Sequence, residues 1–255
     1  MNDLYSGLIY KYIDIEGGKE SLKNKTIQIS KPTATNDPFE CHSAMVEMGN
    51  IEKYANFLMD SLHSDWSIAK RRKARSVYVH NYKKYGIKHV IEKERTRLAF
   101  ASFSKSCTVI PLWAYYSNNH TGICLCYEVD KHVNLEGQDY FAMVVNYQEE
   151  MEKLFISEKD IDFYKKWLTR KSIEWQHERE VRLVNLKHFT DLEKQRLIYP
   201  KNSLKKIIFG LNTLQEDVEE VIEIVNKYYP EESIRFSEVE LNNKMFLLDE
   251  IDITT

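Results

Sequence analysis

The chain reads as an α+β domain built on a mostly antiparallel, split sheet with a helical insertion. Two observations predict this class. Short segments with a period of two, rich in β-branched and aromatic residues, recur from 8–13 through to 245–251. Between them the stretch 50–97 keeps a helical period instead, with Ile51, Tyr54, Ala55 and Leu58 at i, i+3, i+4 and i+7. A length of 255 residues suits one domain, 1–255, with the helical insertion at 45–98. The 43% hydrophobic and 29% charged residues are those of an ordinary globular protein, and only 8 Gly and 5 Pro argue for few long irregular loops.

The elements follow in order. Residues 8–13 form a first strand, in which Lys11 shares a face with Ile9 and Ile13. A short helix or turn at 16–24 leads to a strand at 26–30, ended by Lys31-Pro32. Asn36-Asp37-Pro38-Phe39-Glu40 then marks a tight turn, because Asn and Asp cap nearby amides and Pro38 fixes its own φ. The turn accounts for Asn36 and Pro38 and leaves Glu40 unexplained; the same residues could line a ligand cleft. After the helical stretch come a strand at 98–104, a helix at 111–117 opened by Pro111, and strands at 123–129 and 140–147. Residues 160–175 read as a helix with Ile161, Tyr164, Leu168 and Trp175 on one stripe, a stripe that also holds Lys171. Strands at 203–210, 234–241 and 245–251 close the sheet around a helix that follows Thr213-Leu214-Gln215-Glu216, a capping-box pattern, and buries Val218, Val221, Ile222 and Val225.

The chain is organised around residues 174–184, EWQHEREVRLV. A period of two places Glu178, Glu180, Arg182 and Val184 on one face and Val181 and Leu183 on the other. Charges on a central strand need partners. Lys171, on an apolar stripe, is expected to meet Glu178 or Glu180 directly or through one water. Two readings follow: a solvated salt-bridge ladder on an edge strand, or a cleft in which a carboxylate does chemistry while the lysine and arginine tune it.

Composition narrows the classes. No apolar run nears the ~18 residues needed to span a bilayer, and the first residues, Met1-Asn2-Asp3-Leu4, carry no signal-peptide pattern. Four cysteines at 41, 107, 124 and 126 make no disulfide framework, so a cytoplasmic protein with reduced thiols is expected. Cys124-x-Cys126 has no second Cys/His pair nearby at ligand spacing, and no metal is expected there. No Gly-x-Gly-x-x-Gly occurs, which excludes a Rossmann mode of NAD binding. Between residues 66 and 97, 11 Lys/Arg stand against two acids, a net of +9 in a chain of net −3. Such a segment is either a solvated helical face or a surface for nucleic acid or a protein acceptor.

The chain resembles a bacterial domain-of-unknown-function family, number 2971. The resemblance rests on Tyr10-Lys11-Tyr12, Asn36-Asp37-Pro38-Phe39-Glu40, Ser102-Phe103-Ser104, Leu112-Trp113-Ala114-Tyr115-Tyr116 with His120 and Gly122, Trp175-x-x-Glu178-x-Glu180-Val181-Arg182, and Ile208-Phe209-Gly210. The family name carries no activity; its members imply a setting in phage-defence gene neighbourhoods. The order of elements is also similar to that of ADP-ribosyltransferases. That second resemblance implies an NAD-using enzyme, a toxin or abortive-infection effector, with Glu180 as the catalytic carboxylate and Glu178 beside it. Tyr10, Lys11, Asn36, Trp113, Tyr116, His120 and Arg182 would then contact NAD, with Lys11 standing where His or Arg is usual. Breaking the nicotinamide–ribose bond develops oxocarbenium character, which a fixed carboxylate stabilises. Arg182 and Lys11 would hold the pyrophosphate, and Tyr116 or Trp113 would stack on the base. The rivals are a nuclease-like effector, whose acids Asp37, Glu40, Glu178 and Glu180 converge on a metal, and a non-catalytic sensor or interaction module.

Overall fold

A computed structural model describes residues 4–156, 161–185 and 196–253. Nine strands make one large sheet: β1 Gly7–Ile13, β2 Phe100–Ser104, β3 Ile123–Val129, β4 His132–Leu135, β5 Gln138–Val144, β6 Glu180–Val184, β7 Leu204–Phe209, β8 Arg235–Leu241 and β9 Leu248–Asp252. Their spatial order is β9-β8-β7-β3-β1-β2-β6-β5-β4. All neighbours are antiparallel except β7 and β8. The parallel pair is joined by the helix α6, Gln215–Tyr228, as a parallel connection requires. The α+β class with a mostly antiparallel sheet is as expected.

Side-chain alternation sorts the core. Val181 and Leu183 of β6 join the cluster of Ile9, Leu125, Ile207 and Val221 on one face of the sheet. Val184 joins the other face, with Phe100, Tyr54, Ile91, Tyr164 and Trp167. That second cluster includes residues of the helical stretch between the sheet strands. There α1 (Ile15–Asn24) is followed by α2 (Ile51–Phe57), continued by a wider π turn to Leu62, and by the long α3 (Ile68–Arg95). Gly86, at φ +80 and ψ 176, breaks α3. Only a residue without a Cβ takes that backbone readily.

The sheet is pinched at its centre. β1 pairs with β3 along all seven residues, from Gly7–Val129 to Ile13–Ile123, but with β2 at Tyr10–Ser104 alone. Further along β2, Phe100 pairs instead with Ser30, each amide donating to the other's carbonyl. The segment after Thr26–Gln28 is thereby wedged beside β2, and the 36–40 turn is carried to the opening. Helix α4, Ile110–Tyr116, with Pro111 in its first turn, covers the same end.

Two expectations are corrected. The helix read over 160–175 is α5, Ile161–Thr169, and ends six residues early; Asp160 lies outside the described residues. Arg170–Ser172 instead pairs in parallel with Asn146–Gln148, and Ile173–Glu178 forms a 3-10 turn capped by Ser172, whose Oγ accepts from the amide of Glu174. Lys171 therefore sits on a short strand, not on the helix stripe. The capping box at 213–216 does not form either. Thr213 Oγ accepts from the Gly210 amide and donates to the Gly122 carbonyl, so it ties two loops together and leaves α6 without a side-chain cap. Gly122 and Gly210 are required at that crossing, because a Cβ on either would stand 2.2 Å from a carbonyl oxygen of Ile13 or His120 respectively.

Candidate functional site

Where β1 and β2 part, a cleft of about 340 Å³ opens. β1 supplies Tyr10 and Lys11, β2 supplies Ser102 and Ser104, and β6 supplies Glu180 and Arg182. The remaining walls are the 36–40 turn, α4 with Tyr115 and Tyr116, and the 3-10 turn with Trp175 and Glu178.

Its floor is a buried chain of charges. Arg182 is 0% exposed and spends every donor. Nε and Nη2 fork the carboxylate of Glu180 at 2.7 and 2.9 Å, and Nη1 and Nη2 fork Glu40 at 2.7 Å each. Nη1 also donates to the Leu168 carbonyl at 2.6 Å, and the guanidinium lies 4.2 Å from the Phe100 ring centroid. Lys171 donates to Glu178 Oε2 and, at 3.0 Å, to Glu180 Oε2, with its ammonium over the Trp175 ring. The expected contact of Lys171 with a glutamate is thus made with both. Glu178 reaches this point from the 3-10 turn, because the left-handed Arg179 (φ +49) separates it from β6. Its Oε1 accepts from the Tyr116 hydroxyl at 3.1 Å.

The electrostatics follow from this wiring. Burial pushes Glu180 up, but Arg182 and Lys171 more than offset it and hold the carboxyl at about 2. Burial prevails at Glu40, whose pKa is raised although Arg182 pulls the other way. Lys171 loses to burial and gains more from Glu180 and Glu178, so its pKa is raised. Lys11 is different. Its ammonium donates to the Ser102 carbonyl at 2.9 Å, across the gap between β1 and β2. Burial pushes it down to about 8, against the pull of Glu180 and Glu178.

Of the residues singled out from sequence, Tyr10, Lys11, Asn36, Tyr116, Glu178, Glu180 and Arg182 all line the cleft. Trp113 and His120 do not. Trp113 is 0% exposed, donates its indole N–H to the Cys107 carbonyl and meets Tyr12 edge-on, so it has no free face for a base. His120 stacks against Trp113 from the turn of three left-handed residues that follows α4. Arg182 lines the cleft but has no donor left for a pyrophosphate. The acids of the metal reading do approach one another, yet Glu40 and Glu180 converge on a guanidinium and Glu178 and Glu180 on an ammonium. Among the described residues no three His, Cys, Asp or Glu are arranged to hold a metal ion. The four cysteines are buried free thiols.

Sequence reasoning missed the role of Glu40, which lies 142 residues from Arg182 and carried no signal beyond being a turn acid without a turn function. It also missed Trp175 as a wall of the cleft, and Tyr147, whose hydroxyl accepts from the Glu180 amide at 2.7 Å.

The basic segment has a face of its own. On α3, Lys70, Lys73, Val77, His80 and Lys84 follow at spacings of three and four, all exposed. Over the 14 residues from Lys70 to Lys84 that stripe runs about 21 Å, and Arg72 and Lys83 flank it. Several charges of the segment are paired within the chain: Arg71 with Asp60, Lys83 with Glu52, Arg95 with Glu92, and Arg97 with the buried Glu94.

Residues 112–183 match the family model described as Protein of unknown function (DUF2971), which supports the resemblance read from the sequence. That stretch holds Tyr116, Lys171, Glu178, Glu180 and Arg182; Lys11 and Glu40 lie outside it. No curated protein and no solved structure matches the chain. Among the described residues no helix is long and apolar enough to cross a membrane.

Proposed function

We propose that the cleft acts at the N-glycosidic bond of an NAD-type riboside, in the manner of an ADP-ribosyltransferase or NAD glycohydrolase, with Glu178 as the carboxylate beside the reacting sugar. The observation that carries this reading is the unequal engagement of the two glutamates. Glu180 gives both oxygens to Arg182 and one of them also to Lys171, so it is a fixed counter-charge. Glu178 is held by Lys171 on one oxygen and, among the described residues, only by the Tyr116 hydroxyl on the other. A carboxylate so oriented is preorganised for the positive charge that develops on the ribose as the bond to nicotinamide breaks and its electron pair leaves with the ring nitrogen. Tyr116, 38% exposed, and Trp175 supply flat surfaces for the leaving ring. Glu180, the catalytic residue expected from sequence, becomes a positioning residue that holds Lys171 under Glu178. The parting of β1 from β2 agrees with a split sheet whose opening is the substrate site.

The test is nicotinamide release from NAD by the purified chain, alone and with cell lysate as a source of acceptor. Glu178→Gln should keep the thermal melt and lower the rate by about 10²–10³, the usual cost of one preorganised electrostatic contact. No release by the wild type at millimolar NAD, or full activity in Glu178→Gln, would overturn the reading. Binding without release would instead make the cleft a sensor.

A further inference from the structure

We propose that the cleft seats a single N-riboside unit carrying at most one phosphate, held by Lys11, and leaves the rest of any dinucleotide outside. The proposal rests on the N-glycosyl reading above and names the part of the substrate that the site takes.

Three observations carry it. The first is size: about 340 Å³ lies at the lower end of the roughly 300–1,000 Å³ typical of ligand sites. The second is the count of charges on the lining. Three cations face five carboxylates, since Asp14 and Asp37 add to the three acids of the floor, a net of −2. That balance suits the cationic pyridinium of a nicotinamide riboside and opposes phosphate anywhere on the lining that lacks a cation to meet it. The third is how the cations are spent. Arg182 and Lys171 are each bound by two carboxylates. Lys11 is held by a backbone carbonyl, and among the described residues no carboxylate lies within ion-pair distance of it. One unspent cation in a site otherwise negative provides for one phosphate. Burial already works against the charge on this ammonium, so an anion beside it relieves a cost the empty cleft carries.

The experiment measures affinities calorimetrically, using the full chain with nicotinamide riboside, nicotinamide mononucleotide and NAD. The mononucleotide should bind about tenfold or more tighter than the riboside, the value of a charge-assisted hydrogen bond. NAD should bind within about threefold of the mononucleotide, because the adenosine half finds no seat. Lys11→Met should remove the advantage of the phosphate and leave riboside binding in place. Lys11→Arg, which keeps the charge, should retain the advantage and guards against a variant that simply misfolds. An affinity for NAD about 100-fold above that for the mononucleotide would overturn the proposal. So would a phosphate advantage that survives Lys11→Met, or no binding of any of the three. Ligands that bind in the expected order without releasing nicotinamide would sink the N-glycosyl reading and leave this seat standing.

Discussion

Replacing Arg182 with Leu removes the centre of the buried network and leaves two carboxylates behind. Glu40 and Glu180 are 1% and 3% exposed and share this guanidinium; among the described residues only Glu180 has a second cation, Lys171. The floor therefore changes from two cations against three acids to one against three. Breaking one buried pair typically costs about 3–5 kcal/mol, because the orphaned charge stays desolvated. A domain of this size has about 5–15 kcal/mol in all, and each kcal/mol is worth roughly 2–4 °C in Tm, so a drop of about 6–20 °C is expected. The sign of the pH dependence provides a second check. In the wild type Glu180 is depressed to about 2 from an ordinary 4.5, so its contribution is present above 4.5 and is lost as pH falls through about 2. In Arg182→Leu the orphaned Glu40 carboxyl is raised further, so the penalty is largest at neutral pH and shrinks as pH falls and the group protonates. Adding Glu40→Gln should recover part of the loss at pH 7. Thermal and urea unfolding at pH 3, 5 and 7 measure all of this. A loss below about 1 kcal/mol, the range of solvated surface pairs, would refute the buried network.

Other outcomes follow from the same geometry. Lys171→Met should cost less stability than Lys171→Ala, since Met keeps the packing against Trp175 while both remove the same ammonium; equal losses in urea melts would count against a buried stem. Tyr116→Ala should weaken binding of the nicotinamide ligand by roughly 1–2 kcal/mol, the worth of a base stacked on an aromatic ring, while substitution of His120, which does not line the cleft, leaves it unchanged. If the stripe on α3 holds nucleic acid, affinity should fall steeply with salt, and Lys73→Glu with Lys84→Glu should reduce both affinity and slope in an anisotropy titration. Binding that is unmeasurable at low salt would make the stripe a solvated face, and binding to anionic vesicles alone would assign it to a membrane surface.

How much of this was legible in the sequence differs from residue to residue. The period of two in β6 placed Val181 and Leu183 on one face and Glu180 and Arg182 on the other, and the charges on that face did require partners. Lys171 was matched to its glutamates, but through a helix that stops at Thr169; the lysine arrives by pairing with Tyr147 across a short strand. Local periodicity is written in neighbouring side chains, so it survives translation into structure. What lies between distant segments is not. Trp113 and Tyr116, three residues apart on α4, are both aromatic, and only the packing of Tyr12 and Cys107 on one side decides that the first is core and the second is wall. Glu40 was a turn acid without a purpose until a loop closure of 142 residues set it on Arg182. The parting of β1 from β2, which makes the cleft, depends on Ser30 taking the pairing that β1 would otherwise hold. No pattern along the chain encodes that exchange, because it is a competition between two segments for one strand edge, and the tertiary structure alone decides it.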